Sequence, residues 1–195
     1  VAHELKLHNI IRNANWSTYK TTQAAYGLVP FILSLGDNIK CIEVGVNLGI
    51  NSCMLLDMCP NIKELIGVDH YRAYQDWQSY IDQAVQDVAW SIFVENAKVL
   101  GPKFTLIKEK SVDAAKVLLD NSFDFIFLDA DHSMKAILQD LDSYWPKLKS
   151  GGIIAGHDGN LFSVNFAVLS WSRNKGIDPS EILTVNNNSW YWIKA

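Results

Sequence analysis

"IKCIEVGVNLGINSCMLLDMC", residues 39–59, decides the fold. Its first six residues, 39–44, are an apolar run rich in β-formers that stops at a glycine, the signature of a short strand. Gly45 and Gly49 bracket a loop, and residues 49–59 then read as a helix stopped by Pro60. A strand that feeds a glycine-bearing loop and a helix is the opening unit of a parallel α/β sheet.

The same unit recurs outward along the chain. "ELIGVD" (64–69) is a second strand, followed by helical spacing from Trp77 to Leu100 that Gly101-Pro102 closes. "KFTLIK" (103–108) precedes a helix over 111–120 with Ser111 as its expected N-cap. "FDFIFLD" (123–129) precedes a helix over 133–148, and "GGIIAGHD" (151–158) precedes one over 162–173. Two last strands, 181–185 and 189–194, flank "NNN", a turn suited to asparagine's tolerance of left-handed backbone angles. The expectation is a doubly wound, Rossmann-like, seven-stranded α/β sheet, mostly parallel, with a C-terminal antiparallel hairpin strand. Residues 1–195 are read as one domain, with 1–38 a helical segment and 39–195 a cofactor-binding core.

Composition narrows the partners. A hydrophobic content of 49% in 195 residues supports a substantial core, and a net charge of −4 without a basic stripe argues against nucleic acid. Cys41, Cys53 and Cys59 have neither metal-site spacing nor an even count, so reduced, buried thiols are expected. No signal-peptide pattern follows Val1 and no apolar run reaches the ~18 residues of a membrane span, which predicts a cytoplasmic setting without membrane contact. The aromatic-rich helices would serve a homo-oligomer as readily as a lid.

In open parallel sheets, ligands bind beyond the carboxyl ends of the strands. After the first strand stand Glu43, Gly45, Asn47 and Gly49, in the spacing E-x-G-x-N-x-G; a dinucleotide fingerprint would place glycine where Asn47 is. Asp69 ends the second strand, where a carboxylate can bind ribose hydroxyls. The combination predicts an adenosine-type cofactor. Asp129 and Asp131-His132 follow the fourth strand, and His157-Asp158 follow its neighbour. Their convergence would bind a divalent cation through Asp129, His157 and Asp158, supply a general base at His157 or His132, or merely close loops.

"IEVGVNLGINS", "GVDHY", "FIFLDADHS" and "LKSGGIIAGHD" together resemble the class I S-adenosylmethionine-dependent methyltransferases, and most closely a subgroup of small bacterial and phage-type O-methyltransferases. The closing "SWYWIK" fits that family's antiparallel strand. The resemblance implies S-adenosylmethionine as cofactor. Glu43, Gly45, Asn47 and Gly49 would line its methionine and ribose end, and Asp69 would hold both ribose hydroxyls. His70 or Tyr71 would flank the adenine, Lys110 and Ser111 would meet its edge, and Asp129 would face the methyl-donor region.

Related metal-dependent enzymes carry an acid after strand four and a pair after strand five. This favours the cation reading, with Mg2+ or another divalent ion; an imidazole at His157 suits a transition metal better than magnesium. The implied activity is methylation of a hydroxyl on a small-molecule acceptor such as a sugar, a natural product or a phenol. Its rivals are a non-catalytic S-adenosylmethionine-binding protein and a nicotinamide-dependent enzyme, the latter opposed by Asn47 and the terminal hairpin. Trp16, Tyr19, Tyr71, Tyr74 and Trp77 are candidates to roof the site, whereas Trp145, Trp171, Trp190 and Trp192 fit core patterns.

Overall fold

The computed structural model describes residues 16–76, 78–186 and 188–195. The expectations for residues 1–15 and for Trp77 and Asn187 lie outside that range. Helices α1 (Trp16–Tyr19) and α2 (Val29–Ser34) precede β1 (Ile39–Val44), α3 (Ile50–Met58) and β2 (Ile62–Val68). Next come β3 (Tyr74–Gln75), β4 (Tyr80–Ile81), α4 (Gln83–Leu100), β5 (Phe104–Ile107), α5 (Ser111–Val117) and β6 (Phe123–Leu128). The chain closes with α6 (Met134–Tyr144), β7 (Leu148–Gly156), α7 (Phe162–Asn174), β8 (Leu183–Val185) and β9 (Ser189–Ile193).

Seven strands form one sheet in the order β5-β2-β1-β6-β7-β9-β8. The pairs among β5, β2, β1, β6 and β7 are parallel, and β9 runs antiparallel to both β7 and β8. The antiparallel strand is therefore next to the edge, and β8 forms the edge itself. The winding reverses between β1 and β6, the point where such sheets leave a crevice.

Strand alternation divides the core. Ile42, Val44, Ile126 and Ile154 face α5, α6 and α7, packing on Ala115, Leu141, Val168 and the rings of Trp171, Trp190 and Trp192. Cys41, Phe125, Phe127 and Ala155 face the opposite layer, packing on Leu28 and Ile32 before β1 and on Met54 and Leu55 of α3. All three cysteines are free and buried, and burial raises each thiol's pKa.

Register fixes what stands at the carboxyl edge. Val44 pairs with Val68 and with Leu128, and Leu128 pairs with Gly156. The ladder runs one residue further: Gly45 N–H donates to Val68 O at 2.8 Å, Asp129 N–H to Val44 O at 2.8 Å, and His157 N–H to Leu128 O at 3.1 Å. Gly45, Asp129 and His157 thus sit side by side on the rim, with Asp69 beside Gly45.

Two local expectations change. The helix expected from Trp77 begins at Gln83, because the Asp82 carboxylate accepts the Val85 N–H at 2.9 Å and caps it there. The residues before it form the small antiparallel hairpin β3–β4. Ser111 is the first residue of α5 rather than its cap, since its hydroxyl turns to Asp140.

Candidate active site

A cavity of about 640 Å³ opens over the switch point between β1 and β6. That volume suits a ligand of nucleoside size or larger. Glu43, Gly45, Asn47, Asp69, His70, Lys110, Ser111, Asp129 and His132 all line it. Gly49, His157 and Asp158 do not; His157 borders a smaller adjoining pocket that shares Asp129 and His132.

The β1 loop is built from backbone. Gly45 has φ +92°, and a Cβ there would lie 1.9 Å from the Asp129 carbonyl oxygen, so only glycine lets the two strand ends meet. Gly49, at φ +77°, is the N-cap of α3. Asp69 clamps this loop: its Oδ2 accepts the Asn47 N–H at 2.9 Å and its Oδ1 accepts the Tyr71 N–H at 3.0 Å. Each oxygen keeps a second lone pair for a ligand hydroxyl. Tyr71, expected with His70 as the alternative neighbour of the adenine, does not line the cavity. Its hydroxyl donates to Asn47 O at 2.6 Å, and its ring is buried against Trp90 and Phe93. His70 and Tyr74 face the cavity instead, and Gln23 and Ala24 occupy the wall that Trp16 and Tyr19 were expected to form.

Glu43 is buried at the cavity floor, where Asn51 Nδ2 donates to Oε1 at 2.9 Å and the Ser52 hydroxyl donates to Oε2. Burial raises its pKa to about 7, against the lowering effect of those two hydrogen bonds. Asp140, which no local pattern singles out, also lines the cavity, with the Ser111 hydroxyl 2.5 Å from its Oδ1. Burial likewise holds Asp140 near 7.

The rim at β6 and β7 is built from charge. His132 Nε2 is 2.9 Å from Asp158 Oδ2 and 3.6 Å from Asp129 Oδ1. His157 Nδ1 is 3.3 Å from Asp158 Oδ2 and 3.7 Å from Asp129 Oδ1. Asp129 and Asp158 raise both imidazoles to about 10, against the opposing effect of burial. The histidines lower Asp158 in return. In Asp129, burial acts upward but the neighbouring His132 and His157 outweigh it and the net shift is downward. Asp158 has φ +53°, a left-handed conformation found more often at functional positions than elsewhere.

Among the described residues, Asp129, His132 and Asp158 each offer a ligand atom within 4.8 Å of the others. The sequence placed His157 third in that set. The loop after β6 brings His132 closer, as Asp131 Oδ1 accepts the Ser133 N–H at 2.7 Å and folds the chain back. Despite its 2.9 Å approach to Asp158, the buried His132 Nε2 makes no well-directed hydrogen bond. A nitrogen held between two carboxylates could ligate a cation once its proton is released.

A family profile described as a methyltransferase domain matches residues 42–159. No curated protein sequence matches significantly. A solved S-adenosylmethionine-dependent methyltransferase from Aquifex aeolicus is similar over 98% of this chain and 96% of its own, at 14% identity and a TM-score of 0.60. The O-methyltransferase NovP is similar over 87% and 80%, at 16% identity and 0.59. A protein described as an rRNA methylase, from Clostridium thermocellum, is similar over 87% and 95%, at 15% identity and 0.58. At these identities the solved structures show the shared fold. Among the described residues no helix is long and apolar enough to cross a membrane.

Proposed function

The chain belongs to the methyltransferase-domain family, and on that premise we propose that it transfers the methyl group of S-adenosylmethionine to a hydroxyl oxygen of a small molecule, with a divalent cation beside the reacting atoms. The observation that carries this reading is the double role of Asp129, which lines the large cavity and belongs to the charged cluster. S-adenosylmethionine supplies an electrophilic methyl when bound, and a divalent cation supplies charge that makes a neighbouring hydroxyl more acidic.

The protein's own residues bind and align. Asp69 would accept from the ribose hydroxyls while holding the β1 loop, and the Gly45–Asn47 backbone would approach the cofactor closely. Ser111 and Lys110 line the wall expected to meet the adenine. Asp129, Asp158 and His132 would hold the cation, with His157 alongside. An oxygen-and-imidazole set favours manganese, iron or zinc over magnesium. The alternative of a histidine base is less well supported. With both rings held near 10, each already carries its proton at neutral pH and has no lone pair free to take another. In effect, two imidazolium protons balance Asp129 and Asp158 where a divalent cation would. Metal binding should therefore release protons.

The acidic balance, net −4, supports a small acceptor over a nucleic acid. The test is transfer of labelled methyl to a panel of sugars, glycosides and phenols, run with manganese and again with chelator. Labelled ether products that need the metal support the reading. Tight S-adenosylhomocysteine binding with no transfer to any member would favour a binding protein without catalysis.

A further inference from the structure

We propose that Asp76, on the β3–β4 hairpin, is a positioning residue for His132: it holds the ring by its Nδ1 side and so presents Nε2 to Asp129 and Asp158. The inference rests on the reading of Asp129, His132 and Asp158 as the reacting centre, and it adds a residue from a separate part of the chain.

The contact is double. Asp76 Oδ1 accepts the backbone N–H of His132 at 2.8 Å, and Oδ2 is the directed partner of the ring Nδ1 at 3.4 Å. Both side chains are about four-fifths buried, with 19% of Asp76 and 21% of His132 exposed. The two residues are 56 positions apart, so the contact joins the hairpin to the end of β6. The hairpin is itself anchored: Asp76 N–H donates to Ser79 O at 2.9 Å, and Gln75 Nε2 donates to Ser79 O at 3.0 Å. Its Tyr74 and Ile81 line the cavity, so the hairpin that carries Asp76 forms part of the cavity's wall.

A carboxylate facing a ring nitrogen accepts and does not donate, so Nδ1 must carry the hydrogen. The backbone contact fixes where the ring starts and the Nδ1 contact fixes its rotation. Nε2 is then the atom left to the Asp129–Asp158 pair, either as an N–H or, with a cation present, as a lone pair. Outer carboxylates that hold a ligating histidine in this way raise metal affinity by about 10–100-fold. The groups facing the ring are Asp76 on one side and Asp129 and Asp158 on the other, with Asp131 and His157 adjacent.

Asp76→Asn separates positioning from loop support. Its amide oxygen can keep the His132 backbone N–H, which leaves an NH2 donor against Nδ1. A ring whose Nδ1 carries a hydrogen must then turn, which moves Nε2 away from Asp129 and Asp158. The experiment is nitrogen NMR of histidine-labelled protein, wild type against Asp76→Asn and Asp76→Ala, with manganese affinity measured on the same samples. With zinc bound, the expected result is a ligated Nε2 and a protonated Nδ1 of His132 in wild type, and a lost or mixed pattern in both variants. Manganese affinity should fall about tenfold or more in both, with S-adenosylhomocysteine affinity unchanged in Asp76→Asn. A wild-type nitrogen pattern and metal affinity in Asp76→Asn would overturn the proposal and leave Asp76 as a loop support. The nitrogen readout needs no acceptor, so a failure to find methyl transfer would count against the proposed function and not against this assignment.

Discussion

The two ends of the cavity are built from different materials. At the β1 and β2 end the geometry is a matter of backbone: a glycine with no room for a Cβ, and one carboxylate holding two loop N–H groups. At the β6 and β7 end it is a matter of charge, with two aspartates and two histidines facing one another within 2.9–3.7 Å. The first end is set by backbone geometry and suits binding a cofactor that every turnover shares. The second is set by ion pairs and, on the proposed reading, faces the reacting atoms. Binding and turnover should therefore separate on mutation.

The largest expected effect breaks the one place where the two ends touch. Gly45→Ala sets a methyl 1.9 Å from the Asp129 carbonyl at a positive φ, so it strains the loop and displaces the β6 terminus together. A loss of about 4 kcal/mol or more is expected, or no folded protein; urea denaturation reads it. Next is Asp158→Ala, which lies outside the large cavity. Turnover on an identified acceptor should fall about 10²–10⁴-fold, the scale of proton-transfer and electrostatic groups. The cofactor KM should stay near wild type.

The smallest effect is in pH, read as thermal midpoint in chelator. Glu43 and Asp140 hold their protons more tightly folded than unfolded, so their contribution is full below ordinary carboxyl values and is lost as pH rises through about 7. His132 and His157 are also raised, so theirs is full below 6.5 and is lost as pH rises to about 10. Asp129 and Asp158 are lowered, and their contribution disappears only on acidification below the usual carboxylate range. Stability should therefore decline from mildly acidic to alkaline pH. A flat or rising profile would contradict the charge-paired rim.

The difference in materials also explains what was legible in the sequence. Glu43, Gly45, Asn47 and Gly49 lie within seven residues, and strand, loop and helix announce themselves by local pattern. Asp69, Asp129 and Asp158 were legible because each closes or follows an apolar run. Asp76 and Asp140 were not, since they act across 56 and 29 positions and carry no local signature. The hairpin was hidden by Trp77, Tyr80, Ile81 and Ala84, whose spacing mimics one face of a helix; periodicity does not register the Asp82 cap that starts α4 later. The choice between His132 and His157 as third ligand depends on how the loop after β6 folds back, which is again a contact and not a pattern.

The most direct test is calorimetric titration of S-adenosylhomocysteine into wild type, Asp69→Ala and Asp158→Ala. The account predicts micromolar binding by wild type, a loss of about tenfold or more in Asp69→Ala from the forfeited hydrogen bonds, and near wild-type affinity in Asp158→Ala. No binding by folded wild-type protein, or an equal loss in both variants, would contradict it.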